Sequence, residues 1–232
     1  MLKAVVTDVD GTITDMRRRI STDAIECIRD LVDGGIDVVI ASGNTCCFMD
    51  GLCRMIGTNG SIIGENGGIY RNRFAGKLHI LGDRQACWTA FRALQAHFAK
   101  SGTELELYSP DYRFADVAFA RTIDADEVRQ VLKQHPVRVL DTGFAIHLQS
   151  HGVNKGIALI QLAEAMGLHP SEFLAIGDSM NDVEMLAAAG VGVAVKNSHP
   201  DTKAIADYVT KKRCGDGFVE AVKRFYADFL SR

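Results

Sequence analysis

Two aspartates follow the first apolar run of the chain. Val5 and Val6 favour a buried strand, and Gly11 ends the run directly after Asp8 and Asp10. In an extended chain, residues two apart lie on one face, so both carboxylates would stand together at the end of the strand. Such a pair is costly unless a cation compensates it, and oxygen ligands of this kind suit Mg²⁺ with phosphate as a further ligand. A carboxylate can also serve as a nucleophile that carries an aspartyl-phosphate, although the same residues would fit an acidic turn without chemistry.

The composition is that of an ordinary soluble globular protein. The chain has 232 residues, of which 47% are hydrophobic and 24% charged, and its formal net charge is -3. This charge gives no reason to expect binding to nucleic acid or to a membrane. The apolar start is interrupted by Asp8 and Asp10, which is unlike a signal peptide, and no run approaches the roughly 18 apolar residues of a membrane span. We therefore expect a cytoplasmic protein, either a monomer or a homodimer.

Six cysteines are present without the paired Cys-x-x-Cys spacing of a zinc site. Cys46 and Cys47 are adjacent and could be redox-active. Small apolar residues of a reduced protein are the simpler interpretation.

Strands and helices alternate in the first and last parts of the chain. The predicted strands cover 2–7, 36–41, 62–63, 173–176 and 191–195, and the predicted helices cover 22–33, 45–56, 155–166, 181–189 and 218–230. This alternation predicts an α/β fold with a doubly wound, Rossmann-like parallel sheet and right-handed crossovers. In such sheets, ligands bind beyond the carboxyl ends of the strands.

The middle of the chain has another rhythm. A helix at 83–100 precedes strand candidates at 103–108 and 113–120, and a helix at 124–134 precedes strand candidates at 137–140 and 144–149. Two helices and a small sheet would form a separate α+β unit. We therefore predict a core made of residues 1–82 and 153–232, with residues 83–152 inserted into it.

Four polar groups fall at predicted strand ends or helix starts. They are Asp8 with Asp10, the segment Ser42-Gly43-Asn44, Lys155, and the set Asp178, Asn181 and Asp182. Each group alone is a weak signal. Together they match what phosphoryl transfer needs: a nucleophile, a cation between carboxylates and phosphate, and donors around the phosphoryl oxygens.

This ordered set resembles the haloacid dehalogenase (HAD) superfamily of phosphohydrolases. Its four motifs are matched, in order, by Asp8-Val9-Asp10-Gly11-Thr12, Ser42, Asn154-Lys155-Gly156 and Gly177-Asp178-Ser179-Met180-Asn181-Asp182. The inserted unit is similar to the cap of type C2B. Within the superfamily, Ser42-Gly43-Asn44 and Glu65-Asn66-Gly67-Gly68 look most like the archaeal-type phosphoglycolate phosphatases, although many relatives carry Arg where this chain has Asn44.

The resemblance implies roles for the acidic residues. Asp8 would attack phosphorus, and Asp10 would protonate the leaving oxygen and then deprotonate the hydrolytic water. Mg²⁺ would be bound by Asp8, by the backbone carbonyl of Asp10 and by Asp178. Asp182 would be a further ligand or would support the ligands.

The resemblance also implies how the substrate is held. Ser42, Gly43 and Lys155 would bind the phosphoryl oxygens, and Asn181 would orient the site by hydrogen bonding.

The expected partner is a small phosphorylated metabolite, with 2-phosphoglycolate the preferred candidate. A sugar-phosphate phosphatase or a phosphomutase with the same core remains an alternative. A signalling receiver domain also has an acceptor aspartate on a doubly wound sheet, but it needs no second acidic cluster and no inserted unit. Arg113, Arg121 and His147 are the polar residues of the insertion that could select the substrate.

Overall fold

The computed structural model describes residues 1–230. In chain order, its strands and α-helices are β1 (Ala4–Asp8), α1 (Thr22–Asp33), β2 (Asp37–Ala41), α2 (Cys46–Ile56), β3 (Ile62–Gly64), β4 (Ile69–Arg71), β5 (His79–Ile80), α3 (Arg84–Phe98), β6 (Asp116–Ala120), α4 (Ala125–Val131), β7 (Val137–Asp141), β8 (Ala145–Ser150), α5 (Lys155–Met166), β9 (Phe173–Gly177), α6 (Val183–Ala188), β10 (Val191–Ala194), α7 (Pro200–Ile205), β11 (Tyr208–Val209), α8 (Cys214–Phe225) and α9 (Ala227–Leu230).

Eight strands form one sheet in the order β11-β10-β9-β1-β2-β3-β4-β5. The first six strands in this order run parallel, and β1 lies between β2 and β9. At one edge, β4 and β5 add antiparallel pairings that the sequence pattern did not predict. The predicted α/β fold is confirmed, and its parallel sheet carries a short antiparallel extension.

Helices cover both faces of this sheet because the parallel strands are apolar on both sides. In β1, Val5 packs with the helices α1, α2 and α8 on one face, while Ala4 and Val6 pack with α5 and α6 on the other. Local signals fix the helix ends. Ser21 accepts the amide hydrogen of Ala24 at the start of α1, and Asn154 does the same for Ile157 at the start of α5.

A second, antiparallel sheet has the order β6-β8-β7. The helices α3 and α4 pack against one of its faces through Phe91, Leu94 and Val128, which meet Phe119 and Leu148 of the strands. This sheet and its helices have their own apolar core. The boundaries 83–152 for a separate unit stay a prediction.

The predicted strand at 103–108 is wrong. Glu106 and Tyr108 do exchange backbone hydrogen bonds with β6, but the pairing is limited to one isolated bridge between Leu107 and Phe119. The extended run cannot continue because Ser109 adopts a left-handed conformation (φ 51°) and Pro110 starts a 3₁₀ turn. The segment is therefore an edge loop of the second sheet.

The predicted helix at 218–230 is also placed differently. Here α8 begins at Cys214, four residues earlier, and Tyr226 separates it from α9. Among residues 1–230, none of the helices is long and apolar enough to cross a membrane.

Candidate active site

Three neighbouring strands bring the predicted site residues to one edge of the large sheet. Asp8 is the last residue of β1, Ser42 follows β2, and Asp178 follows β9. Since β1 lies between the other two strands and all three are parallel, their carboxyl ends meet. Long-range pairing of the strands thus assembles residues that are up to 170 positions apart in the chain.

A buried lysine lies between two carboxylates. The Nζ of Lys155 donates hydrogen bonds of 2.6 Å to Oδ1 of Asp8 and 2.6 Å to Oδ1 of Asp182. Lys155 and Asp182 are fully buried, and Asp8 is 5% exposed. Burial alone would lower the pKa of Lys155, but the charges of Asp182 and Asp8 outweigh it and raise that pKa. Lys155 is therefore a permanent cation.

Three carboxylates beside this cation form a cluster suited to a divalent metal ion. Oxygens of Asp8, Asp178 and Asp182 lie within 4.8 Å of one another. Burial, followed by repulsion from Asp182, raises the pKa of Asp8 to about 7 despite the nearby Lys155. Burial and the charges of Asp8 and Asp182 raise the pKa of Asp178 to about 8. Hard oxygen donors that repel each other in this way fit Mg²⁺, which would hold them ionised.

Asp182 already uses both of its oxygens. Its Oδ2 accepts the backbone amide hydrogens of Asp178 and Ser179, each at 3.0 Å, while its Oδ1 accepts from Lys155. It therefore fixes the turn that presents Asp178. Thr12 donates a 3.2 Å hydrogen bond to Oδ1 of Asp178, and so orients the same carboxylate from the β1 side.

The cluster of three carboxylates does not include Asp10. Asn44 links Asp10 to Ser42, since its Nδ2 lies 3.4 Å from Oδ2 of Asp10 and 2.9 Å from Oγ of Ser42. On the other side, Nε of Arg18 lies 3.8 Å from Oδ1 of Asp10. That the Asp10 backbone carbonyl is a metal ligand stays a prediction.

A cavity of about 700 Å³ opens onto these groups, and both sheets contribute to its lining. Of the predicted site residues, Asp8, Asp10, Ser42, Gly43, Asp178 and Asn181 line it. Lys155 and Asp182 do not, because they lie behind Asp8 in the protein interior. A direct contact between Lys155 and the substrate therefore stays a prediction.

The loop at 65–67 is a part of the site to which the sequence interpretation gave no role. Glu65, Asn66 and Gly67 all have positive φ angles, of 48°, 54° and 94°. A side chain on Gly67 would place its Cβ 2.2 Å from the backbone oxygen of Asn154, so only glycine fits there. The Oδ1 of Asn66 accepts a 2.8 Å hydrogen bond from Nδ2 of Asn181, which places the Asn66 amide in the cavity wall. In the sequence, the segment Glu65-Asn66-Gly67-Gly68 was the feature that could have pointed to this loop.

Glu65 also joins the two sheets. Its carboxylate accepts the backbone amide hydrogens of Phe114, Ala115 and Asp116, at the start of β6. Arg113 donates from Nη1 to the backbone oxygen of Gly43 at 3.2 Å. The inserted unit is thus anchored directly beside the predicted phosphate-binding segment.

The three polar candidates of the inserted unit separate in the structure. Arg113 and His147 line the cavity, whereas Arg121 lies outside it and pairs with Asp141 at 2.8 Å. Arg121 follows the end of β6, where its side chain is half exposed and pairs with the last residue of β7, two strands away in the sheet. Of the three candidates for selecting the substrate, Arg121 is therefore the one that does not line the cavity.

Cys46 and Cys47 are free thiols. Burial, followed by the charge of Asp50, raises the pKa of Cys46. The raised pKa disfavours a reactive thiolate at Cys46.

A sequence-family model described as haloacid dehalogenase-like hydrolase matches residues 5–80 and 104–222, which is well over half of the chain. The chain belongs to this hydrolase family. Membership makes the signalling receiver domain untenable, since the matched family is one of enzymes.

Curated relatives of this HAD-like hydrolase extend over its full length. A protein of Methanoculleus marisnigri named phosphoglycolate phosphatase is 64% identical over all of both chains. A protein of Methanospirillum hungatei with the same name is 47% identical, again over all of both chains. Among solved structures, a Thermoplasma acidophilum protein matches with a TM-score of 0.86 and 29% identity over 97% of this chain and 99% of that chain.

Proposed function

We propose that this HAD-like hydrolase is a magnesium-dependent phosphatase that cleaves 2-phosphoglycolate into glycolate and phosphate. The observation that carries the proposal is the Asp8 carboxylate, which lines the cavity at the end of β1 and is held from behind by Lys155. The substrate is suggested by the names of relatives up to 64% identical over their full length. It also agrees with a cavity that contains polar groups from both sheets.

Asp8 and Asp10 divide the reaction between them. A carboxylate oxygen of Asp8 attacks phosphorus, the bond to the ester oxygen breaks, and Asp10 gives that oxygen a proton. Asp10 then removes a proton from water, whose oxygen attacks the same phosphorus and releases Asp8 and inorganic phosphate. Asp10 suits this exchange because it is partly exposed and borders the cavity, unlike the buried Asp182.

The remaining residues hold the reacting groups in place. Asp8, Asp178 and the Asp10 backbone carbonyl would bind Mg²⁺, with Asp182 supporting the loop. When bound, the ion neutralises charge on the carboxylates and on the phosphoryl group, so that an anionic nucleophile can approach an anionic ester. Ser42 and Gly43 would donate to the phosphoryl oxygens. Lys155 favours the ionised form of Asp8 and, by donating to its Oδ1, holds the orientation of this carboxylate.

The inserted unit, residues 83–152, acts in this proposal as a cap. It closes the cavity over the carboxyl ends of the strands and excludes water from the ester. Its anchor through Glu65 and Arg113 places it next to Gly43.

A substrate panel tests the proposal. We would measure kcat/KM with Mg²⁺ for 2-phosphoglycolate, several hexose phosphates and p-nitrophenyl phosphate, and follow release of phosphate. We expect 2-phosphoglycolate to be the best substrate. If a hexose phosphate is better by tenfold or more, the substrate assignment is wrong. Transfer of the phosphoryl group to another position without release of phosphate would instead identify a phosphomutase.

A further inference from the structure

The two walls of the cavity carry different ionisable side chains. The core wall contains the carboxylates of Asp8, Asp10 and Asp178 together with the guanidinium of Arg18. Among the described residues of 83–152 that line the cavity, which we call the cap wall, there are Arg113 and His147 but no aspartate, glutamate or side-chain amide. A ligand with an anionic group opposite its phosphate would match this arrangement.

Both basic side chains are held in position by one buried carboxylate behind them. Asp116 is 1% exposed. Its Oδ1 accepts a 2.7 Å hydrogen bond from Nη1 of Arg113, and its Oδ2 lies 2.8 Å from Nδ1 of His147. Nε of Arg113 donates to the backbone oxygen of Tyr108 at 3.0 Å. The rotamers of both residues are therefore fixed before any ligand binds.

One nitrogen of each side chain is left for a ligand. Nη2 of Arg113 and Nε2 of His147 have no hydrogen-bond partner among residues 1–230. These two nitrogens are also not fully buried. Asp116 faces Nδ1 of His147, so Nε2 is the ring nitrogen directed at the cavity, and it donates to a ligand when it carries a hydrogen. The two free nitrogens are thus potential donors on the cap wall.

Arg113 lies next to the predicted phosphate-binding segment. Its Nη1 donates to the backbone oxygen of Gly43, the residue next to Ser42. A ligand with its phosphoryl group at Ser42 and an anionic group at Arg113 would therefore need only a short chain between the two groups. A planar guanidinium fork is also the group that best fits a carboxylate.

We propose that Arg113 and His147 form a subsite for the carboxylate of the leaving group, so that the enzyme selects short phosphorylated acids. This inference rests on the proposed phosphatase function and adds how the substrate is chosen. Asp116 acts as the positioning residue of this subsite.

Two matched esters isolate the carboxylate. Ethyl phosphate has the same chain length as 2-phosphoglycolate but ends in a methyl group. We would measure kcat and KM for both esters and express the selectivity as the ratio of their kcat/KM values. The phosphoryl chemistry is common to both, so the ratio reports the subsite alone.

Two variants remove the free nitrogens. In His147→Asn, the amide nitrogen can replace Nδ1 against Asp116 while Nε2 is lost. Arg113→Lys keeps the charge but loses the fork. We expect each to lower the selectivity ratio by about 10- to 100-fold, mainly through KM for 2-phosphoglycolate, as for a lost hydrogen bond to a charged group. The control Arg121→Gln removes an exposed arginine outside the cavity and should leave the ratio unchanged.

Thermal unfolding would verify that each variant is folded. The proposal is overturned if His147→Asn and Arg113→Lys lower kcat/KM equally for both esters, or if the wild-type enzyme does not prefer 2-phosphoglycolate. If the wild-type enzyme cleaves neither ester, the proposed function fails. Calorimetric binding of both esters then still tests the subsite, and equal affinities would overturn it.

Discussion

Replacing Lys155 by Met should destabilise the protein more than any other single loss of a lysine. Met has a similar length and adds no polar atom, so the change removes the charge and its two 2.6 Å hydrogen bonds to Asp8 and Asp182. Breaking a buried ion pair by removing one partner costs about 3–5 kcal/mol, since the other charge stays buried without compensation. Because two carboxylates lose their partner here, we expect a loss of about 5 kcal/mol.

Urea unfolding in EDTA measures this loss at pH 7. Folding raises the pKa of Lys155 above that of an unfolded lysine, so its stabilisation is fully present at any pH below the unfolded-state pKa. This range includes pH 7. Lys77→Met, at an exposed position, is the control and should change the unfolding free energy by less than about 0.5 kcal/mol. Saturating Mg²⁺ should recover part of the loss in the Lys155 variant, because it binds the folded state. A Lys155→Met protein within about 1 kcal/mol of wild type in EDTA would show that the two ion pairs of Lys155 do not stabilise the fold.

Three further predictions concern the site and its support. Asp8→Asn should lower kcat by at least about a thousandfold, or about 4 kcal/mol of barrier, in a protein that still folds; a tenth of the activity remaining would exclude Asp8 as nucleophile. EDTA should abolish phosphatase activity, Mg²⁺ should restore it and Ca²⁺ should inhibit, because Ca²⁺ accepts a looser coordination; full activity after metal stripping would contradict this. Burial alone would raise the pKa of Asp116, but the hydrogen bond from His147 and the charge of Arg113 hold it below its ordinary value. The stabilisation by Asp116 is therefore present above about pH 4 and is lost as the pH falls through its folded-state pKa. Asp116→Asn should lower the free energy of unfolding in urea by about 3 kcal/mol at pH 7 and by clearly less at pH 3. An equal loss at both pH values would count against the ion pair.

Much of the core could be predicted because its signals are local. The apolar strands β1, β2 and β9 each end in a polar residue, and parallel pairing must bring those ends together. Asp8, Ser42 and Asp178 therefore meet as expected. The starts of α1 and α5 were also predictable, since Ser21 and Asn154 each accept an amide hydrogen from a residue three positions later.

The parts that were missed depend on contacts between distant segments. Asp116 meets His147 across 31 positions, and Glu65 meets the start of β6 across about 50, so no periodicity shows either contact. Arg121 looked equivalent to Arg113 in the sequence. Only the position at the end of β6, beside Asp141, turns it away from the cavity.

The segment 103–108 illustrates a different limit. Its alternating apolar side chains favour a strand, yet Ser109 and Pro110 turn the chain away after a single bridge to Phe119. In the loop at 65–67, three successive residues have positive φ angles, and Asn66 contacts Asn181. Composition alone predicts neither this loop conformation nor the turn at Ser109 and Pro110.

In the proposed reaction Asp8 carries the phosphoryl group, so the nucleophile can be identified by trapping the aspartyl-phosphate. In Asp10→Asn the base for hydrolysis is lost, while p-nitrophenyl phosphate, which has a good leaving group, needs little acid assistance. We predict a burst of one p-nitrophenol per enzyme and, after acid quenching and borohydride reduction, homoserine at position 8 in the peptide from Ala4 to Arg17. A burst without modification at Asp8, or modification at another residue, would contradict the account.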